Sequence, residues 1–460
     1  MKTLQSLFTV GLMFASTVMS FASIHAADGW KAGVAKTAIT PSEPMWMSGY
    51  ASRDKPAQGK LHDLWAKALV LEDSTGTRLV QVSLDLVGIG RDLSVMICRQ
   101  LQDTYHLKRS QIALCTSHTH TGPVVGHNLG SMYFLNEYQQ KQVNDYSDFL
   151  AKSIVEVVGQ AISSLRPAQL RYGAGSTDFA VNRRNNREPD VPMLREKGEL
   201  KGPVDHTVPV LAAYDQRGQL FALTFGYACH ATVLSFYEWS GDWPGFAQIE
   251  IESRHPNAIA LFAAGCGADQ NPLPRRTVEL AQKYGRMTAD AVDSILGSSM
   301  TTVQGSAAHA YQEIDLALGE LPSRESIEAD TMSTNKYVVS RAKSLLEQLD
   351  RTGQLDQTYP YPVQVWGIGK DLRTVILGGE VVVEYSLRIQ QEHADRAIWV
   401  AGYSNDVMAY IPSVRVLQEG GYEGATSMIY YGLPTIWSEK VEDHICETVR
   451  QLVRTVDAQP

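Results

Sequence analysis

The feature that most constrains the fold is an alternation of short apolar runs and longer amphipathic stretches, which begins near residue 65. β-Branched and apolar residues dominate 79–89 and 111–117, which predicts buried strands there. Helical periodicity follows over 92–107 and again over 138–165. Because each strand must bury its apolar faces under helices or another sheet, the pattern predicts an α/β fold. We expect a layered, mixed β-sheet core with flanking helices.

Later segments continue this pattern. The apolar runs at 219–234 and 258–269 both end in polar and glycine residues. Further helices are expected near 277–297, 332–350 and 437–455. The polar and charged stretch 315–337 is interpreted as a surface excursion within a single domain.

The first 26 residues have the character of an export signal. Lys2 gives a positive start, a stretch of apolar and small residues follows, and Ala26 and Ala27 offer a cleavage site. We therefore expect an exported protein, periplasmic or secreted, with one domain over 28–458. No later apolar run reaches the roughly 20 residues of a membrane helix, so no transmembrane segment is expected after signal removal.

Composition narrows the class of partner. A hydrophobic content of 44% and a charged content of 20% suit a globular protein with a sizeable core. The net charge is −9 and no basic patch is visible, so nucleic acid is not an expected partner. The five cysteines are scattered without a C-x-x-C pair, which predicts buried apolar residues rather than a disulfide framework.

Two histidines one residue apart give the clearest chemical signal. His118 and His120 stand in TSHTHTGP, just after the predicted strand. In extended backbone such residues face the same side, and ligands bind beyond the carboxyl ends of strands in α/β sheets. Imidazole is a common zinc ligand, so the pair is either part of a metal site or a set of loop histidines bonded to backbone. The serine-elbow, P-loop and H-E-x-x-H signatures are missing, which removes those alternatives.

Three other segments could complete a site. His230 lies inside an apolar run, where an unpaired imidazole is costly to bury, so it is either a bonded core residue or a ligand. Glu380 follows a predicted strand and a Gly-Gly turn, and we expect Glu384, in the next apolar segment, to be the less exposed of the two. Asp269, Gln270 and Asn271 form a polar turn that we expect to be exposed, either as a plain turn or as a substrate-facing surface.

In order and context, these motifs resemble the catalytic domain of the neutral, non-lysosomal ceramidase family, over most of the mature chain. The similar segments are TSHTHTGP, YACHATVLSFYEWSGDWPGFA, GGEVVVEYSLRI and GYSNDVMAYIPSVRVLQEGGYEGA. The resemblance implies the fold of that domain and an amidohydrolase of the N-acylsphingosine type. Full-length members of the family carry a C-terminal β-sandwich domain, and we expect no counterpart of it in this sequence.

The resemblance also implies a set of metal ligands. His118, His230, Glu380 and Tyr410 correspond to ligands of one zinc ion per chain. Zinc in such a shell would lower the pKa of a bound water towards about 7 and so provide a nucleophile for an amide carbonyl. Tyr410 is the unusual member, because phenol is a rare zinc ligand.

Further roles follow from the same resemblance. His120 would face the substrate or the nucleophilic water, Tyr422 would donate its hydroxyl to the developing oxyanion, and Arg183 would help to place the substrate. The family's turn G-D-V-S-P-N carries a serine, whereas this chain has Gln270 in GADQNP. We expect Gln270 or Asp269 to take over its role, with Asn271 binding the substrate.

The missing serine leaves the substrate open. An N-acyl lipid would require a deep cleft lined by apolar and aromatic residues. A second interpretation keeps the metal but assigns a polar substrate such as a glycan. The polar residues near the site that would suit sugar hydroxyls are Asp269, Gln270, Asn271, Arg183, Arg184 and Asn185. A third interpretation is a catalytically silent binding protein of the same fold.

Overall fold

The computed structural model describes residues 29–459, so the predicted signal peptide lies outside the described residues. In chain order the strands are β1 Lys31–Ala38, β2 Gly59–Lys60, β3 Trp65–Glu72, β4 Arg78–Leu84, β5 Ile112–Thr116, β6 Arg166–Pro167, β7 Gln169–Ser176, β8 Ala180–Asn182, β9 Thr207–Tyr214, β10 Leu220–Tyr227, β11 Glu238–Trp239, β12 Ile259–Ala264, β13 Gln270–Pro272, β14 Thr301–Thr302, β15 Ala307–Ala317, β16 Thr358–Ile368, β17 Leu372–Leu377, β18 Glu380–Val381, β19 Ala397–Ala401 and β20 Tyr410–Ile411.

The α-helices are α1 Arg91–Tyr105, α2 Glu137–Ser163, α3 Val191–Lys197, α4 Asp242–Arg254, α5 Val278–Leu296, α6 Arg324–Asp330, α7 Lys336–Thr352, α8 Val383–Glu392, α9 Val414–Glu419, α10 Met428–Tyr431 and α11 Val441–Asp457. The helices predicted from periodicity are confirmed, with ends that differ by a few residues. The polar stretch 315–337 leaves the end of β15 and carries α6. Within residues 29–459, no helix combines the length and apolar character needed to cross a bilayer.

Three sheets form the body of the fold, and each is covered on one face by helices. The first has the strand order β5-β4-β3-β1-β6 and packs against α1 and α2. The second has the order β12-β10-β9-β7-β14 and packs against α4 and α5. The third has the order β15-β16-β17-β19 and packs against α8 and α11.

The opposite faces of the three sheets meet in a shared apolar core. Leu71 of the first sheet, Leu211 of the second and Trp366 of the third belong to one buried cluster. Burying both faces of each sheet in this way explains the continuous apolar runs in the sequence. The predicted α/β class, with layered mixed sheets and flanking helices, is confirmed. All five cysteines are buried and unpaired, as expected.

Each sheet ends in one parallel strand pair, β4 with β5, β10 with β12, and β17 with β19, while most other pairs are antiparallel. The chain leaves β5 towards His118, β10 towards His230 and β17 towards Glu380. Loops after parallel strands therefore bring together residues far apart in sequence, as expected for a ligand site in an α/β protein.

Candidate metal centre

Five buried side chains, which we call the histidine–glutamate cluster, converge beyond these strand ends. Oε2 of Glu380 lies 3.0 Å from Nε2 of His118 and 3.2 Å from Nε2 of His230. Nε2 of His120 lies 3.1 Å from Nε2 of His118, and the Tyr410 hydroxyl lies 3.3 Å from Nε2 of His230. The structure therefore brings together all four predicted metal ligands and His120, which also lies close enough to contribute a ligand atom.

Local backbone structure sets these positions. Glu380 and Tyr410 are directly paired in the short parallel ladder of β18 and β20, so one register places both side chains. His118 has a φ of 58°, in the left-handed region. The expectation that His118 and His120 share an extended backbone is therefore wrong: β5 ends at Thr116, and a turn, not a strand, brings the two rings together.

Hydrogen bonds to backbone fix the tautomers of two histidines. Nδ1 of His118 donates to the carbonyl of Val87 at 2.6 Å, and Nδ1 of His230 donates to that of Gly267 at 2.8 Å. In the neutral rings this leaves both Nε2 lone pairs directed at the same oxygen of Glu380. Backbone bonds of this kind orient histidines for metal binding in other proteins.

The ionisation states reinforce this arrangement. Burial, with the Arg183 guanidinium nearby, lowers the pKa of His230 to about 4, and burial lowers the pKa of His120 well below its ordinary value. Burial alone would raise the pKa of Glu380, whereas positive charge on His118 or His230 holds it well below the usual range, and a bound cation would supply that charge while both rings stay neutral.

The cluster thus fits a metal ion. Oε2 of Glu380 is buried and no protein group hydrogen-bonds to it within residues 29–459. Neutral imidazole lone pairs and a carboxylate oxygen facing one another are all acceptors, and a cation satisfies them together. Imidazole and carboxylate are ligands that suit zinc and related transition metals.

The sequence reasoning missed one residue of this centre, Tyr431. Its hydroxyl donates to Oε1 of Glu380, the carboxylate oxygen that faces away from the histidines. This bond holds the carboxylate in the orientation that presents Oε2 to His118 and His230. No local pattern distinguishes Tyr431 from Tyr430 beside it, so only the tertiary structure reveals the contact.

Arg183 lies behind the phenol of Tyr410. Its Nη2 donates to the Tyr410 hydroxyl at 3.1 Å, and its Nε donates to Glu423 at 2.7 Å. Burial, with a further effect of Glu380, raises the pKa of Tyr410 well above its ordinary value, while Arg183 opposes that rise. The protein alone therefore keeps this phenol protonated.

An open cleft of about 650 Å³ leads from the surface to the cluster. His120, Arg183, Asn271, Tyr410 and Tyr422 line it. Tyr422 is 41% exposed, and its ring centre lies 5.2 Å from that of Tyr410. The residues predicted to face the substrate, apart from Asn185, Asp269 and Gln270, are thus on the wall of one cleft.

Comparison with known proteins agrees with this geometry. Residues 30–271 match the family model described as neutral/alkaline non-lysosomal ceramidase, N-terminal. The chain belongs to the neutral ceramidase family. The match covers the loops that carry His118, His120 and His230, whereas Glu380 and Tyr410 lie beyond it.

Relatives within the neutral ceramidase family are distant. The neutral ceramidase of Pseudomonas aeruginosa is 27% identical over 285 residues, which is 58% of this chain and 41% of that protein. Neutral ceramidase B of Dictyostelium discoideum is 28% identical over 209 residues, 44% of this chain and 28% of that protein. The matched region thus spans less than half the length of these curated relatives.

The fold agrees over a longer stretch than the sequence does. A crystal structure of the Pseudomonas aeruginosa neutral ceramidase superposes with a TM-score of 0.72 at 20% identity, over 94% of this chain and 75% of that one. A structure described as ceramidase complexed with C2 gives the same TM-score at 19% identity. The predicted resemblance to the neutral ceramidase catalytic domain is confirmed at the level of fold.

Where the family motif has a serine, the expectation of an exposed turn is wrong. Asp269 and Gln270 are fully buried and Asn271 nearly so. Oε1 of Gln270 accepts from the Asp205 amide at 3.0 Å, and its Nε2 donates to the carbonyl of Ala228. The side chain that replaces the family serine therefore points into the protein.

Asp269 is also occupied by protein groups. Its two carboxylate oxygens accept from the Val383 amide at 2.8 Å and from Asn182 at 2.9 Å. The main chain of this turn supports the site: the carbonyl of Gln270 accepts from the His230 amide at 2.9 Å, and that of Asp269 accepts from the Arg183 amide at 2.8 Å.

The expectation that Glu384 is less exposed than Glu380 is wrong. The side chain of Glu384 is 22% accessible, and that of Glu380 is 4% accessible. Glu384, on α8, forms an ion pair with Arg415, on α9, at 2.6 Å. Glu380 is the carboxylate of the cluster because β18 carries it there, not because it is accessible.

Proposed function

We propose that this protein is an exported, zinc-dependent amidohydrolase that cleaves the amide bond of an N-acyl compound. The observation that supports it most is the histidine–glutamate cluster, in which buried acceptors face one another at the base of an open cleft. Membership of the neutral ceramidase family supports hydrolysis of an amide, and the signal-like first 26 residues support export.

In this proposal His118, His230, Glu380 and Tyr410 hold one zinc ion. When bound, zinc supplies a Lewis acid that lowers the pKa of water and polarises a carbonyl. Tyr431 keeps the Glu380 carboxylate oriented by donating to its outer oxygen.

The other residues act on the substrate. His120 lines the cleft beside the proposed metal ligands, with its Nε2 3.1 Å from that of His118, so as a neutral imidazole it can take a proton from the attacking water. Tyr422 stands at the cleft wall with a phenol that is protonated at neutral pH, and it donates a hydrogen bond to the oxygen that gains charge. Arg183 holds the Tyr410 hydroxyl, and Asn271 offers an amide to the substrate.

A polar, glycan-type substrate is the second candidate, and the polarity of the cleft favours it. Arg183, Arg184 and Asn186 line the cleft, whereas Leu273 is the aliphatic residue there. Under this alternative the same metal centre acts on a sugar derivative. The silent binding protein is the third candidate, and the unsatisfied Glu380 oxygen speaks against it.

Metal dependence of amide hydrolysis tests the proposal. The purified protein should contain about one zinc per chain. It should release sphingosine from N-hexanoylsphingosine, or amine from another N-acyl compound, at a rate that a chelator abolishes and zinc restores. N-acetylated sugars tested in parallel address the second candidate. Turnover that is unchanged by chelation contradicts the proposal. Binding of these compounds without turnover of any of them identifies a silent binding protein.

A further inference from the structure

The cleft above the metal centre has an excess of positive charge. Its charged lining residues are Arg183, Arg184, Arg187, Arg275, Glu188 and Glu423, which leaves two positive charges in excess. The whole chain carries a net charge of −9, so the cleft has the opposite sign to the protein. A concave surface of one sign concentrates ligands of the other.

Two of these arginines are committed to the protein. Arg183 and Arg184 share Glu423, at 2.7 and 2.6 Å, and Arg184 also contacts Glu419 at 3.0 Å. Both are largely buried and form part of the cleft wall. They position Tyr410 and the 420–423 segment, and protein acceptors occupy the Nη groups of both.

The other arginines of the rim retain free donors. Arg275 binds Glu188 through Nε and Nη2, and its Nη1 has no acceptor within residues 29–459. The side chain of Arg187 is 84% exposed, and it lies 3.9 Å from Asp190, a loose contact. An exposed pair at this distance contributes little stability and leaves the guanidinium available.

Arg276 adds an independent observation. It has a φ of 98°, a conformation that costs energy for any residue with a side chain. Its guanidinium lies 5.9 Å from the centre of the Tyr50 ring, which lines the cleft, and it forms no ion pair among the described residues. Arg276 is therefore an unpaired cation beside Tyr50, a residue of the cleft wall, although its own side chain is not part of that wall.

We propose that Arg187, Arg275 and Arg276 bind an oxyanion on the substrate, so that the preferred N-acyl compound carries a carboxylate or a phosphate ester. This inference rests on the proposed amidohydrolase function and narrows its substrate class. Guanidinium groups with free donors bind both oxyanions through paired hydrogen bonds. A neutral N-acyl lipid would leave those donors without a partner.

Binding of matched sulfonamides, which the holoenzyme does not hydrolyse as amides, tests the inference. We would compare N-octylsulfonyl derivatives of glycine, phosphoethanolamine and ethanolamine by calorimetry. At least one anionic compound should bind at least about tenfold more tightly than the neutral ethanolamine derivative, and the preference should weaken with added salt. Equal affinity for all three overturns the inference.

Variants locate the effect. Arg187→Gln with Arg276→Gln should weaken the anionic compound about tenfold and the neutral one less than twofold. Arg99→Gln with Arg217→Gln, at two exposed positions outside the cleft, removes the same charge and should change neither. Equal weakening of all three compounds by the double variant at Arg187 and Arg276 also overturns the inference.

Hydrolysis of the corresponding N-octanoyl amides separates the two proposals. Selective binding without turnover of any amide leaves the oxyanion site in place and removes the amidohydrolase proposal. Turnover of the neutral amide with rejection of both anionic amides leaves the amidohydrolase proposal in place and removes the oxyanion site.

Discussion

Two polar regions of this protein are equally buried, yet their hydrogen-bonding states are opposite. In the histidine–glutamate cluster, acceptors on His118, His230 and Glu380 face one another, and one carboxylate oxygen has no donor. In the turn at 269–271, Asp269 and Gln270 have protein partners on both polar atoms of each side chain. Burial alone therefore does not mark a site; several buried acceptors that face one another without a donor indicate a cation, and satisfied burial indicates scaffold.

The largest effect should come from removing a ligand of the cluster. His118→Ala should abolish stoichiometric zinc and reduce turnover by at least about a thousandfold, because one of the acceptors that hold the cation is lost. Metal analysis by mass spectrometry and amide hydrolysis measure the two effects. His255→Ala, at a surface histidine paired with Asp293, should change neither. Retention of full zinc by His118→Ala would remove the assignment.

A slightly smaller effect is expected at the cleft wall. Tyr422→Phe should lower turnover by about a hundredfold or more while changing substrate affinity less than about twofold, because its hydrogen bond strengthens only as the oxyanion forms. Tyr430→Phe, whose ring centre lies 6.3 Å from that of Tyr422, is the matched control. Unchanged turnover would reduce Tyr422 to a packing role.

Tyr431→Phe tests whether the Tyr431 hydroxyl orients the Glu380 carboxylate for metal binding. Loss of the bond to Oε1 of Glu380 should weaken zinc binding about ten- to a hundredfold, as for other groups that orient metal ligands. Competition with a chelator of known affinity measures this change, and Tyr430→Phe again serves as the control. Equal zinc affinity in the two variants would show that Glu380 is held by its backbone alone.

Local pattern predicted the layered fold well, because alternating apolar and amphipathic segments report burial directly. The chemistry at His118, His230 and Glu380 was also visible in the sequence, although the resemblance, not spacing, joined them into one site. The errors arose where distant contacts decide: Asp205 and Ala228 bury the side chain of Gln270, and nothing near 269–271 reveals them. For the same reason the contact of Tyr431 was missed.

Asp269→Asn tests the buried turn at 269–271 through the pH dependence of the free energy of unfolding. Burial raises the pKa of Asp269 to about 6, so the folded state binds a proton more tightly than the unfolded state, and this group's stability contribution falls as pH rises from about 4 to about 6. Asparagine does not titrate. The stability advantage of the wild type over the variant should therefore shrink by about 2–3 kcal/mol between pH 4 and pH 7.

Urea unfolding of both zinc-free proteins at the two pH values measures that difference. Asp242, whose pKa burial also raises to about 6, is present in both proteins and cancels. An advantage that is the same at both pH values would show that Asp269 does not titrate in this window.

The smallest effect on activity should come from Gln270→Ser, which restores the residue type of the family turn. Serine is too short to reach both the Asp205 amide and the Ala228 carbonyl, so stability should fall by about 1–3 kcal/mol. The bond from the His230 amide uses the backbone carbonyl of residue 270 and persists in the variant. Zinc affinity and turnover should thus stay within about twofold. A large gain in hydrolysis of N-hexanoylsphingosine would mean that residue 270 reaches the substrate, and the satisfied turn would then have to be counted as part of the site.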